Sequence, residues 1–470
     1  MPACTGWSAC AVRSPLAAAV MGADGAAIRD AAGLHPMPAL RAQAAAWAQA
    51  LAASGLQPAE PVIVPVSGRG LDVAAMMAVL AAGGVAVPLH RRAHPDTAAH
   101  VRAATGARLA VDGEAAGVAV FGDRAPAPRP ALQGAAFVTF TSGSTGAPKG
   151  VILSGDRMLA KLRTLAQVLG FPAGGATLMP LQLTFSFGQW VTFLTLMRGG
   201  TVHLSEGFEP ATLLQRLAGS GIGHLAAVPT MLRMIPPGPA PGPAVRILTG
   251  GEAVQPHLRR ALLDWWPAAE IFSIYGLTES GTSDLILHDV AGRAVHDSLG
   301  DPSPGVEVRV DPETGELQLR TPFGMLGYLD MPAETRAAYA EGWLRTGDVV
   351  ARAPDGRLVL TGRMKEIINR AGNKVSPLEI EGLFAAHPAV SAAMATGVAD
   401  PRLGEAVHLM VVPRPGARVT PEALRDWAAG RIERFKLPDR IHLGENLPLG
   451  RTGKADRAAL RHRLEADDAP

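Results

Sequence analysis

The sequence predicts an α/β protein: a large N-terminal domain of mixed and parallel sheets covered by helices, a β-rich subdomain, and a small α+β C-terminal domain. Three observations predict it. The first third alternates short apolar strands with helices, the chain turns to hairpins after about residue 300, and the last hundred residues pair two helix candidates with a strand. At 470 residues the chain is also longer than one hydrophobic core usually supports.

In chain order, Ala39–Ala53 is a helix candidate ended by Ser54-Gly55, and Pro61–Val66 is a short apolar strand. Leu71–Ala82 is a second helix stopped by Gly83-Gly84, followed by the strands Val85–Leu89 and Arg108–Val111. Strand–helix–strand repetition of this kind favours a parallel sheet covered on both faces. After the Pro-rich break Ala125–Pro130, the strand Ala135–Phe140 begins a series of strand–loop units that continues with Val245–Leu248 and Glu270–Ile274. Ligands of open α/β sheets sit beyond the carboxyl ends of strands, so these loops carry the functional interest. Thr314-Gly315 and Asp355-Gly356 mark hairpins. Helices are expected at Pro377–Ala386 and Pro421–Arg434, with the strand Ala406–Val412 between them.

Composition excludes several classes of protein. With 44 basic and 42 acidic residues interspersed, the net charge of +2 marks neither a nucleic-acid binder nor a membrane-surface binder. Val73–Leu80 is among the longest apolar stretches and is too short to span a bilayer. The two cysteines, Cys4 and Cys10, rule out a disulfide framework, and no CxxC or HExxH spacing offers a zinc site. The N-terminus lacks a basic segment followed by a clean apolar core. A cytoplasmic location is therefore expected.

The strand ending at Phe140 runs into Thr141-Ser142-Gly143-Ser144-Thr145-Gly146-Ala147-Pro148-Lys149-Gly150. Four hydroxyls, three glycines and a lysine in ten residues suit a polyphosphate. Glycines let backbone N–H groups approach the oxygens, hydroxyls add donors, and the lysine adds charge. A P-loop NTPase is excluded, because the Gly143 to Lys149 spacing lacks the second glycine and the following Ser or Thr. Val151–Leu153 also looks like a strand, not a helix start.

This loop resembles the signature of the adenylate-forming superfamily, which includes acyl-CoA synthetases, peptide-synthetase adenylation domains and luciferases. Four further segments resemble its motifs in the family's order, over roughly residues 60–465. They are Tyr275-Gly276-Leu277-Thr278-Glu279, Gly342-Trp343-Leu344-Arg345-Thr346-Gly347-Asp348, the stretch from Gly362-Arg363 to Val375, and Gly450-Arg451-Thr452-Gly453-Lys454. Gly250-Gly251-Glu252-Ala253 is similar to the family's adenine-facing turn.

The resemblance implies an ATP- and acyl-binding domain over 1–362 and a mobile domain over 363–470, hinged near Lys365. It implies that Thr141 to Gly146 and Lys149 hold phosphates, that Gly251, Glu252, Ala253, Tyr275 and Gly276 surround adenine, and that Asp348 and Arg363 read ribose. Thr278 would bond phosphate, Glu279 would hold Mg²⁺, and Lys454 would bridge the substrate carboxylate and the α-phosphate. Gly372 and Lys374 would line the entry for the thiol arm.

The acyl pocket is expected from Phe185, Ser186, Phe187, Gly188, Gly250 and Gly281. Amino-acid-activating members carry Asp after the first Phe; Ser186 stands there instead, which disfavours an α-amino acid. The aromatic pair Phe185 and Phe187 has two equal readings, a pocket for an apolar aryl or short-to-medium acyl acid, or rings that are simply core. The implied reaction joins a small carboxylic acid to AMP with loss of pyrophosphate, then transfers the acyl group to coenzyme A. The alternatives are the phosphopantetheine of a separate carrier protein, an amine acceptor, and a non-catalytic ATP-binding regulator.

Overall fold

A computed structural model describes residues 13–115, 117–122, 127–141, 148–219, 221–240, 242, 245–449 and 455–467. Ser142, Gly143, Ser144, Thr145, Gly146 and Lys454 lie outside the described residues. Among the described residues the strands form four sheets.

The largest sheet has nine strands, six of them a parallel block: Glu270–Tyr275, Arg246–Gly250, Ile222–Ala227, Ala176–Met179, Thr201–Leu204 and Ala27–Asp30. Antiparallel strands close both of its edges. A seven-stranded sheet has the parallel core Ala135–Thr141, Val85–His90, Pro61–Val66 and Leu109–Asp112, again with antiparallel strands outside. The parallel sheet predicted for the first third is therefore mixed, because Lys149–Ser154 folds straight back on Ala135–Thr141.

Helix Gly70–Ala82 is buried on nearly every side, as its uninterrupted apolar sequence requires. One hydrophobic cluster joins it to Val62 and Val64 of one large sheet and to Ile28 and Val202 of the other. The two sheets and the helix between them therefore make one N-terminal core. A bidentate pair, Arg91 to Asp112 at 2.7 and 2.9 Å, joins the ends of two strands in the second sheet.

Hydrogen bonds from Arg91 hold the Asp112 carboxyl down at about 2. A depressed carboxylate stabilises the fold above its ordinary value of 3.8, and that contribution is lost as pH falls through about 2. Arg91→Ala is expected to lower unfolding free energy by about 2 kcal/mol at pH 7, with the deficit vanishing on the acid side of that window. Denaturant midpoints at both pH values check it.

Residues 307–363 build the β-rich subdomain, an antiparallel sheet with its own core of Leu317, Leu319, Val350 and Leu358. The two hairpins predicted at Thr314-Gly315 and Asp355-Gly356 have loops longer than a two-residue turn, 311–315 and 353–357: Asp311 hydrogen-bonds its own loop at Glu313 and Thr314, and Gly315 takes a φ of +71°. The last strand of this sheet, Leu358–Arg363, ends where the fourth sheet is about to begin at Ile368–Arg370. The fourth sheet packs helices Pro377–Ala385 and Pro421–Ala428 around Ile380, Phe384, Leu409 and Leu424, an independent core for a small C-terminal domain.

The second of these helices stops at Ala428, six residues short of the predicted Arg434. Gly430 turns the chain at a φ of +77°, and Ile432 and Phe435 reach the core from a separate turn. Among the described residues no helix is long and apolar enough to cross a membrane.

Candidate active site

The site is assembled at the carboxyl ends of the parallel strands. Arg246–Gly250 and Glu270–Tyr275 lie side by side with Gly250 opposite Ile274, so the turns that follow them leave the same edge of the sheet. A Cβ on Gly250 would stand 2.3 Å from the Ile274 carbonyl, which restricts this position to glycine. Gly251 follows at a φ of +82°. The Glu252 carboxylate accepts from the Thr230 hydroxyl at 2.8 and 2.9 Å and from Arg233 at 3.1 Å, which fixes the turn to the short helix Pro229–Arg233.

The next turn carries Tyr275 to Glu279. Gly276 passes so close to the backbone of Ser283 that a Cβ would lie 2.4 Å from its nitrogen. The Tyr275 hydroxyl donates to Asp348 Oδ2 at 2.7 Å, and Arg363 Nε donates to Asp348 Oδ1 at 2.8 Å. Three residues from motifs separated by up to 88 positions thus meet at one carboxylate. Asp348 is 1% exposed.

Burial pushes the Asp348 carboxyl upward, against the pull of Arg363 and Tyr275. Burial and the Asp348 charge push the Tyr275 phenol well up, so Tyr275 keeps its proton and donates it. Glu316, which sequence reasoning missed, sets the height of this carboxylate: one of its oxygens accepts from Gly347 N at 2.9 Å and the other from Arg345 Nε at 3.0 Å. Thr346 Oγ1 also accepts from Asp348 N at 3.0 Å.

Thr141 and Lys149 pair across the hairpin whose connection is the glycine–hydroxyl loop. His100 holds the exit of that loop, its Nε2 3.0 Å from the Pro148 carbonyl oxygen. Lys149 Nζ sits 5.2 Å over the ring of Tyr328, and the Tyr328 hydroxyl donates to Glu279 Oε1 at 3.0 Å. Tyr328 therefore spans Lys149 and the Glu279 carboxylate. No sequence signal marked it; it lies on a two-residue strand that pairs with Lys149–Ser154.

Beside Glu279, Thr278 Oγ1 lies 3.2 Å from Ser186 Oγ. Both line a narrow recess of about 20 Å³, room for little more than one water molecule, between helices Gly155–Val168 and Ser186–Met197 and residues 278–282. Gly281 also lines it, whereas Phe185, Phe187, Gly188 and Gly250 are not among its lining residues. Phe187 stacks on Trp190 at 5.6 Å, and Gly188 is pressed against the Gln182 carbonyl, where a Cβ would lie 2.4 Å away.

Lys365 follows Arg363 in the connection between the third and fourth sheets, and Met364 N donates to the Gly347 carbonyl at 2.8 Å. Gly372, with Ala371, tips the hairpin Ile368–Arg370/Asn373–Val375; both have positive φ, as a two-residue hairpin turn requires. Lys374 is exposed on that hairpin. Leu449 and Ala455 bridge across the base of the lysine loop. Arg457 Nε donates to Glu366 at 3.0 Å, tying the far side of that base to the segment after Lys365.

The sequence model of the AMP-binding enzymes matches residues 112–329, and that of the AMP-binding enzyme C-terminal domain matches 379–454. A feruloyl-CoA synthase of Amycolatopsis sp is 31% identical over 420 residues, covering 86% of this chain and 84% of that protein. A fatty acid–[acyl-carrier-protein] ligase of Streptomyces coeruleorubidus is 32% identical over 354 residues, covering 70% and 67%. Among solved structures, the amide bond synthetase McbA from Marinactinospora thermotolerans superposes with a TM-score of 0.84 at 28% identity, covering 96% of this chain and 99% of that one. With its Tyr275–Asp348–Arg363 cluster, its loop-closing Lys149 and its separate C-terminal core, the chain belongs to the AMP-binding, adenylate-forming enzymes.

Proposed function

We propose that this enzyme activates a small non-α-amino carboxylic acid with ATP and transfers the acyl group to the thiol of coenzyme A. The observation that carries the reading is the meeting of Tyr275, Asp348 and Arg363 at one buried carboxylate beside the Glu279 turn. A carboxylate retains lone pairs beyond those used by Tyr275 and Arg363, and these can receive two ribose hydroxyls. In the first step a substrate carboxylate oxygen attacks the α-phosphorus, the bond to the bridging oxygen breaks, and pyrophosphate leaves. In the second, the thiolate sulfur attacks the acyl carbon, the bond to the phosphate oxygen breaks, and AMP leaves.

Two anions meet in the first step, so positive charge must converge on them. Lys149 serves the phosphate loop and Lys454 the reacting oxygens. Glu279 is half-buried, and Tyr328 takes only one of its carboxylate oxygens, a donor set that fits Mg²⁺ shared with the triphosphate. Bound there, Mg²⁺ would offset charge on the phosphate oxygens. The acyl body lies at the mouth of the recess beside Thr278 and Ser186. Ser186 offers no charge for an α-ammonium.

Coenzyme A is the acceptor named for the feruloyl-CoA synthase relative. The acyl-carrier-protein ligase and the amide bond synthetase favour, in turn, a carrier thiol and an amine as second readings. Pyrophosphate exchange over a panel of acids tests adenylation, and silence across the panel would favour a non-catalytic nucleotide binder. Product masses with coenzyme A, holo-carrier protein or amine separate the acceptors.

Lys454 and the Gly372 hairpin cannot both flank the acyl phosphate at once, so the small domain swings about Lys365 between steps. Lys365→Pro is expected to slow at least one half-reaction on the order of 10²-fold, the cost of misplacing reacting groups by about 1 Å, while ATP binding persists. Single-turnover adenylation and thiolation rates check it. Wild-type rates in both would refute the hinge.

A further inference from the structure

The acyl recess contains one charged residue among its eleven lining residues, Lys161 of helix Gly155–Val168. Its side chain is 2% exposed. The ammonium lies 4.9 Å over the ring of Phe323, another lining residue, and 3.6 Å from Asp284 Oδ1, beyond hydrogen-bonding reach. Among the described residues, Lys161 Nζ makes no hydrogen bond, and neither does Nε1 of Trp190, which lines the same recess and is 2% exposed. Two residues that line one recess thus bury N–H donors that make no hydrogen bond, and Asp284 Oδ1, the ion-pair partner of Lys161, makes none either. Buried donors in such surroundings cost stability unless a partner is supplied.

We propose that the recess selects an acid whose acyl group carries a neutral oxygen acceptor, a hydroxyl in the simplest case, seated against Lys161 and Trp190. The inference deepens, and rests on, the reading of this chain as an acid-activating enzyme. Thr278 ties the recess to the Glu279 turn, so an acid reacting at that turn brings its acyl body to the mouth of the recess, which has room for one hydroxyl-sized substituent. A plain hydrocarbon would leave both donors unanswered.

A second carboxylate is disfavoured by Asp284, which already sets a negative charge 3.6 Å from the ammonium. A further anion would place two carboxylates against one buried cation. Asp284 is also committed to the active-site turn: it accepts from Ser280 Oγ, whose oxygen in turn accepts from Leu277 N at 3.1 Å. Burial pushes the Lys161 ammonium down and the Asp284 carboxyl up, so the pair gains from any acceptor that solvates the cation.

The test is pyrophosphate exchange by the full chain with matched acids: benzoate, 3- and 4-hydroxybenzoate and terephthalate, then hexanoate, 6-hydroxyhexanoate and adipate. In a skeleton it activates, the wild type is expected to favour a hydroxylated member over its parent by about 10–100-fold in kcat/KM, the value of a hydrogen bond to a charged group. In Lys161→Met that ratio should collapse to about one, through KM for the hydroxylated acid. Where Lys161→Met does not fold, Lys161→Met/Asp284→Asn removes both buried charges and keeps the comparison. Wild-type preference for the unsubstituted acid, a ratio unchanged in the variants, or preference for the dicarboxylate would each overturn the proposal. Exchange without discrimination removes this inference alone; no exchange with any acid removes the activating function and the inference with it.

Discussion

Replacing Lys454 by alanine is expected to lower the rate of acyl-adenylate formation by about 10²–10³-fold, the cost of removing one charge-stabilising donor from a transition state. The loss should fall on one half-reaction. Lys454 is assigned to the step in which two anions approach, so transfer of the acyl group from preformed acyl-AMP to the thiol should proceed at close to the wild-type rate. The structure gives the loop a fixed base to act from: Leu449 and Ala455 bridge across it, and Arg457 is bonded to Glu366 and Glu381 and to the Ala395 carbonyl. A residue with a merely structural role in that loop would slow both steps together or lower the melting temperature. Equal losses in pyrophosphate exchange and in thiolation from preformed acyl-AMP would remove the assignment.

The parts of the site legible in the sequence are those where one contiguous string does the work. The Tyr275–Glu279 turn and the Gly342–Asp348 segment each place backbone and side chain together, while the glycine–hydroxyl loop, read in the same way, lies outside the described residues over 142–147. Short-range spacing therefore carries the chemistry. The strands and helices of the first third were legible for a related reason, since continuous apolar runs such as Val73–Leu80 suit elements buried between layers.

What stayed hidden depends on distant partners. Tyr328 reaches Glu279 because a two-residue strand pairs with Val151 and Ile152, far away in the chain. Glu316 orients Gly347 from a neighbouring strand. Lys161 reads locally as a solvated lysine on an amphipathic helix. Its one signal was its place beside Leu162 and Leu165 and three residues from Met158, on the face that meets the acyl recess. Glu252 was legible as part of the Gly250–Ala253 motif, but the partners of its carboxylate, Thr230 and Arg233, were not.

Asp348→Ala is expected to raise KM for ATP by about 10²–10⁴-fold, since it removes the acceptor for two ribose hydroxyls at about 1.5–3 kcal/mol for each hydrogen bond to a charged group. The size alone would not identify the cause, because the substitution also strips Tyr275 and Arg363 of their shared partner. Deoxynucleotides separate the two. With the wild type, 2′-deoxy-ATP and 3′-deoxy-ATP should each lose about 10–100-fold in kcat/KM, one hydrogen bond apiece. With the variant, both should perform as poorly as ATP and no worse, because the oxygen that distinguished them has gone. A melting temperature near that of the wild type would show that the fold survives the loss of the Arg363 pair, whose guanidinium is already half-exposed. If the variant still rejects 2′- or 3′-deoxy-ATP as the wild type does, ribose is read elsewhere, and the buried carboxylate serves only to hold Tyr275 and Arg363 in place.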